Sequence, residues 1–205
     1  MNATDTQQLK PIAITMGDPF GIGPEIIAKT LMDSRHSEKP LLVLGDETSI
    51  HRGFHTVGSA LPLRAIHSIH EFERNFEGAT ILQVGDRVLG NEMGVVSAEG
   101  GRAAAGAIFK AIELAKSGDI SAIVTAPIHK EALSEAGVPY PGHTEILADK
   151  GGAKNVAMML ANDEIRTVLV SIHVSLRQAI EDADFDAQMA AMRLAHVGML
   201  VLGSQ

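Results

Sequence analysis

No cysteine occurs in the 205 residues, which excludes disulfides, thiolate nucleophiles and thiolate zinc sites. Any metal has to be held by His, Asp or Glu, and nine histidines are available. Tryptophan is absent and Tyr140 is the single tyrosine, so there is little on which nucleic-acid bases could stack. Lys and Arg form no run and the formal net charge is -8, which makes a polyanion a poor main partner. No apolar stretch reaches the roughly 18 residues that cross a bilayer. The polar start, Met1 to Lys10, lacks a signal-peptide core. The expectation from these absences is a soluble cytoplasmic protein, with neither nucleic acid nor membrane as partner.

What is present reads as a folded α/β chain. Hydrophobic residues make up 45% and charged residues 20%, a globular balance. Strands are expected at Pro11 to Met16, Leu41 to Leu44, Leu61 to Ile66, Thr80 to Val84 and Ala122 to Thr125, then at Val156 to Leu160 and Thr167 to Ile172. Helices fall between them. One starts at Pro24, with Ile26, Ile27, Thr30 and Leu31 expected inward. A long one runs from Ala98 to Lys116 with Ser97 as its cap and Gly118 as its stop. Short helices are expected at His129 to Ala136 and Thr144 to Asp149, and a last one at Phe185 to Leu202. Alternation of this kind predicts a mainly parallel sheet. The sequence marks no domain boundary clearly; an internal one is placed near 125–140.

Four segments stand where ligands gather in such folds, just after strands or at helix starts. The loop Gly17-Asp18-Pro19-Phe20-Gly21-Ile22-Gly23 leads into Pro24-Glu25. It is either an anion site built from backbone amides or a tight turn that needs glycine. It is neither the dinucleotide fingerprint nor a P-loop. Ala126-Pro127-Ile128-His129-Lys130 follows a strand, so Lys130 is a candidate for a phosphate or carboxylate, or else a solvated first-turn residue. Pro141-Gly142-His143-Thr144-Glu145 enters a helix, where His143 and Thr144 offer two donors to an oxyanion, or Thr144 merely caps. Ser171-Ile172-His173 ends a strand, and Arg177 four residues on faces either a substrate anion or Glu181. His51, His55, His67 and His70 lie in a polar region read as irregular surface. His196 is read as packing or half-exposed within the last helix.

Taken in order, these segments, with Met158-Met159-Leu160 and His173-Val174-Ser175-Leu176-Arg177, resemble the 4-hydroxythreonine-4-phosphate dehydrogenase family from about Pro11 to Gly203. Val96-Ser97-Ala98-Glu99 and Pro141 to Ala148 are similar to the branch acting on 4-phosphothreonate and 4-phosphoerythronate. The resemblance implies a fold like isocitrate and isopropylmalate dehydrogenases, with two α/β domains about a cleft, in a homodimer. It implies oxidation of a phosphorylated hydroxy acid by NAD or NADP, then decarboxylation, assisted by a divalent metal such as Zn, Mg, Mn or Co. Carried onto this chain, His143 and Thr144 bind substrate, Lys130 binds substrate or moves a proton, and His173 is the first of three metal histidines. The cofactor-binding residues stay unassigned. Two further metal histidines of the family, in Asn-Pro-His-Ala-Gly and His-Asp-Gln-Gly stretches, have no counterpart here. The expectation is therefore the amino-terminal part of such an enzyme, inactive by itself. The competing expectation is a non-catalytic paralogue with a binding or dimerisation role.

Overall fold

The computed structural model describes residues 10–33, 39–90 and 92–201. They group into two compact units, Met1–Gly151 and Gly152–Gln205, and the stretch 125–140 lies inside the first.

The first unit is built on β1 (Ile12–Thr15), β2 (Leu41–Gly45), β3 (Leu63–Ile66), β4 (Ala79–Gln83) and β5 (Ala122–Thr125). They form one sheet in the order β3-β4-β2-β1-β5, and every pairing is parallel. Apolar side chains alternate between its two faces, as a period of two demands. Ile14, Met16, Val43 and Ile81 pack on one face with Ile27 and Ala28 of α1 (Gly23–Met32) and with Ile50 and Phe54 of α2 (Glu47–Thr56). Ala13, Leu42, Leu44 and Leu82 pack on the other with Ala107, Ala111 and Leu114 of α3 (Ala98–Ser117). The result is a three-layer sandwich with both faces of the parallel sheet covered.

Local signals set the helix ends as expected. The Ser97 side chain accepts from the Gly100 amide, and Gly118 closes α3 at φ 76 while its amide bonds to Ala115. Two expectations fail. α2 occupies a region read as irregular, because its start signal is a single buried residue: Asp46 caps it, its carboxylate accepting from the Ser49 amide and hydroxyl at 2.8 Å and from the distant Val88 amide at 3.2 Å. His51 and His55 therefore sit on a helix, though exposed. Ile26 is not inward but 40% exposed, since α1 buries Gly23, Pro24, Ile27 and Ala28 and turns Ile26 off that face.

α4 (Lys130–Glu135) and α5 (His143–Gly151) complete the first unit. Ile146 of α5 joins Ile108 and Ile112 in a small third cluster against α3.

The second unit holds β6 (Met159–Ala161), β7 (Arg166–Val168), α6 (Leu176–Asp182) and α7 (Phe185–Val201). β6 and β7 are antiparallel, not further members of a parallel sheet. They are joined by a turn in which Asn162 Oδ1 accepts from the amides of Glu164 and Ile165. α6 was not anticipated. Leu202, the expected end of the last helix, lies outside the described residues. His196 is exposed, beyond the packed or half-exposed placement expected, for Ala191 is the one buried apolar residue of this unit among those described. Phe185, Leu200 and Val201 of α7 are each well over half exposed.

Candidate functional site

Chain order fixes where a ligand fits on this sheet. From β1 the chain moves to β2 on one side, and after β4 it crosses to β5 on the other. The crevice beyond the carboxyl ends of β1 and β5 is thus the switch point of the fold. Both exits run into loops that the sequence singled out.

The two exits are laced together. The Ala126 amide donates to the Thr15 carbonyl at 3.1 Å, and one step further the Asp18 amide donates to the Pro127 carbonyl at 2.9 Å. Gly17 makes the second bond possible, at φ +75, because a Cβ there would lie 2.2 Å from the Pro127 oxygen. Gly23, at the start of α1, packs on the Met16 carbonyl from the other side, where a Cβ would meet it at 2.2 Å.

This lacing bears on the two readings of the Gly17–Gly23 loop. The Asp18 amide is bonded to Pro127, the Phe20 amide to Asp18 Oδ1 at 2.9 Å, and the Gly21 amide to the Asp18 carbonyl. Three amides are spent internally, and the buried Asp18 carboxylate stands among them. These bonds and the positive φ of Gly17 account for the loop as a tight turn.

His143 opens α5 with its imidazole beside the Ala126 carbonyl. Its Nε2 is closed to solvent and has no hydrogen-bond partner; the only other such side-chain atom among the described residues is Thr15 Oγ1. Lys130 begins α4, three residues past Pro127, and is exposed, as is Thr144. Lys130, His143 and Thr144 therefore flank the exit of β5. His129 is structural: its Nδ1 caps α4 by accepting from the Ala132 amide at 3.4 Å.

His173 belongs to the second unit. It is exposed and is the one non-glycine residue at positive φ, 56°, among those described, an uncommon conformation that calls for a local reason. Arg177 makes no ion pair with Glu181 among the described residues. Among the described residues no three His, Asp or Glu side chains converge in a way that would hold a metal ion, so these residues do not fit a complete metal site.

A cavity of about 830 Å³ beside Leu41, Phe72 and Thr80 lies at the amino ends of the strands, the wrong edge for a ligand in an open α/β sheet. Sequence reasoning missed Thr15 and a cluster that anchors the loop before His143. There the Tyr140 hydroxyl donates to Asp149, and Lys150 lies 5.8 Å from the Tyr140 ring centre. That hydroxyl holds the Asp149 carboxyl below its usual range.

Burial pushes His143 below its ordinary value of 6.5, more than the Ala126 bond raises it. As the pH falls through 6.5, the unfolded chain takes up the proton first. His143 therefore contributes its full stability above that value and loses it as the pH drops toward the folded one. Urea midpoints at about pH 7.5 and about pH 5.5 are expected to differ more for the wild type than for His143→Gln. Parallel shifts in the two proteins would remove His143 as the cause.

Comparison with known proteins gives a consistent result. Residues 36–201 match the profile of the family described as pyridoxal phosphate biosynthetic protein PdxA. The chain is 52% identical over 193 residues to 4-hydroxythreonine-4-phosphate dehydrogenase of Beijerinckia indica, covering 94% of this chain and 57% of that protein. It is 41% identical over 179 residues to D-threonate 4-phosphate dehydrogenase of Salmonella typhimurium, covering 85% and 54%. The structure superposes on 4-hydroxythreonine-4-phosphate dehydrogenase of Klebsiella pneumoniae with a TM-score of 0.82 at 36% identity, covering 92% of this chain and 58% of that one. The chain thus spans about half the length of the curated relatives it matches.

Proposed function

This chain belongs to the PdxA family, and from that premise we propose that its β1–β5 crevice binds a 4-phosphorylated hydroxy acid, the substrate of a dehydrogenase. The observation that carries the reading is the unpartnered Nε2 of His143 at the switch point of the sheet. An unmet buried polar atom costs free energy that a ligand group can relieve. Lys130 and Thr144, exposed beside the same exit, supply a cation and a hydroxyl for the phosphate or carboxylate. The acid is 4-hydroxythreonine 4-phosphate or D-threonate 4-phosphate, by the names of the relatives. In this reading the enzyme is cytoplasmic and homodimeric, NAD or NADP takes the hydride, a divalent metal supplies a Lewis acid, and the oxidised acid loses carbon dioxide.

A second reading, binding without turnover, is favoured by the lack of convergent metal ligands among the described residues. Calorimetric titration with D-threonate 4-phosphate separates the possibilities. Saturable binding weakened about tenfold by Lys130→Ala, a charge-assisted contact of about 1.5 kcal/mol, upholds the site. A folded chain that binds neither acid sinks it. Reduction of NAD in the same mixture with added Zn, Mg, Mn or Co supports the dehydrogenase, and binding without it supports the second reading.

A further inference from the structure

The segment Gly137-Val138-Pro139-Tyr140-Pro141-Gly142 carries the chain from α4 to α5. Its start is tied to α4, where the Val138 amide donates to the Leu133 carbonyl at 3.0 Å. Beyond that point Pro139 and Pro141 have no amide to donate, and Tyr140 is the one residue of the segment with a polar side chain. Its ring packs against the cluster of Ile108, Ile112 and Ile146, and its hydroxyl donates to Asp149 in the last turn of α5. The Lys150 ammonium stands 3.6 Å from the Asp149 carboxylate, and the Lys150 carbonyl accepts from Lys116 Nζ of α3 at 3.3 Å. The loop that leads into α5 is thus closed onto the far end of that same helix, which α3 holds in place.

We infer that Tyr140 is a positioning residue for the crevice: clasped to Asp149, its hydroxyl sets the entry of α5, and so the placing of His143 and Thr144 for a phosphorylated acid. The ligand half of this inference rests on the function proposed above; the clasp does not. Asp149 and Lys150 are exposed, so water competes for each partner and the bond adds little to the stability of the whole unit. Its effect is local. Without the hydroxyl, the stretch from Pro139 to Gly142 keeps only the packing of the ring. The ligand would then have to order the entry of α5 as it binds, and that cost is subtracted from its affinity.

The test uses three variants of the full chain. Tyr140→Phe keeps the ring and drops the hydroxyl, Asp149→Ala drops the acceptor, and Asp149→Asn keeps an oxygen that can accept. Calorimetric titration with D-threonate 4-phosphate is expected to show roughly threefold to tenfold weaker binding for Tyr140→Phe and for Asp149→Ala. The double variant Tyr140→Phe/Asp149→Ala should lose no more than either single one, and Asp149→Asn should bind nearly as the wild type does. Urea midpoints should stay close to that of the wild type throughout. In the ligand-free chain the Ile146 amide, which bonds back to the Gly142 carbonyl at 3.4 Å, is expected to exchange faster in Tyr140→Phe, with the middle of α3 unchanged. Wild-type affinity in Tyr140→Phe overturns the inference, as do losses that add in the double variant or a urea midpoint that falls in step with affinity. A wild type that does not bind the acid removes the substrate reading alone. The exchange rates then judge the clasp, and equal rates in the wild type and Tyr140→Phe overturn it.

Discussion

Gly101→Ala is expected to cost the first unit about 2–4 kcal/mol, whereas Gly106→Ala, five residues along the same helix, leaves it as stable or raises it by about 0.5–1 kcal/mol. The two substitutions add the same methyl group to α3 and remove the same excess chain entropy from the unfolded state. Their surroundings differ. A Cβ on Gly101 would lie 1.9 Å from the Ala132 carbonyl oxygen and 2.9 Å from the Ala136 Cβ, both belonging to α4 and its cap. A Cβ on Gly106 would meet only Val84 Cγ1, at 3.8 Å, an ordinary contact. Backbone cannot rotate aside as a side chain can, so Gly101→Ala has to push α4 off α3. Lys130, at the first position of α4, would move with it, and affinity for a phosphorylated acid should fall alongside stability. Urea denaturation of the two variants decides the matter. Equal midpoints would mean that the α3–α4 approach is looser than the structure shows.

Gly17→Ala should have an effect of similar size for two reasons that add. Its φ of +75 costs a residue with a Cβ roughly 1–2 kcal/mol, and that Cβ would collide with the Pro127 oxygen at 2.2 Å. The collision falls on the bond that laces the exits of β1 and β5, so the damage lands on the crevice itself. Gly137→Ala separates the two reasons, because its φ is +72 but nothing lies within 4 Å of its Cβ. It should lose only the backbone part. A loss of about 3 kcal/mol or more for Gly17→Ala against about 1 for Gly137→Ala, with faster hydrogen exchange at the Asp18 amide, is the expected pattern. Equal losses would show that the lacing contributes nothing.

The contrast between these glycines shows how far the sequence could be read. Gly17 was singled out because it ends an apolar run and precedes Asp-Pro, a local signal. Gly101 was passed over as one more residue of a helix, although two adjacent glycines near the start of a 20-residue helix cost about 2 kcal/mol in propensity and so mark a close approach. α2 was missed because its cap, Asp46, draws part of its meaning from Val88, 42 positions away. Ile26 was assigned inward because periodicity alone does not say which of two adjacent isoleucines faces the sheet.

The sequence by itself determined the α/β alternation, the strands of the first unit, the ends of α3 and the segments from which a site could be drawn, because each depends on periodicity, capping or turn chemistry within a few residues. The family, too, was legible from ordered motifs. Tertiary structure alone decided the order of the strands, and with it that the exits of β1 and β5, more than a hundred residues apart, form one crevice. It also decided that three amides of the Gly17 loop are spent on Pro127 and Asp18, and that Nε2 of His143 is left buried without a partner. Those outcomes depend on which carbonyl lies opposite which donor, and a linear pattern holds no record of that until the chain has closed on itself.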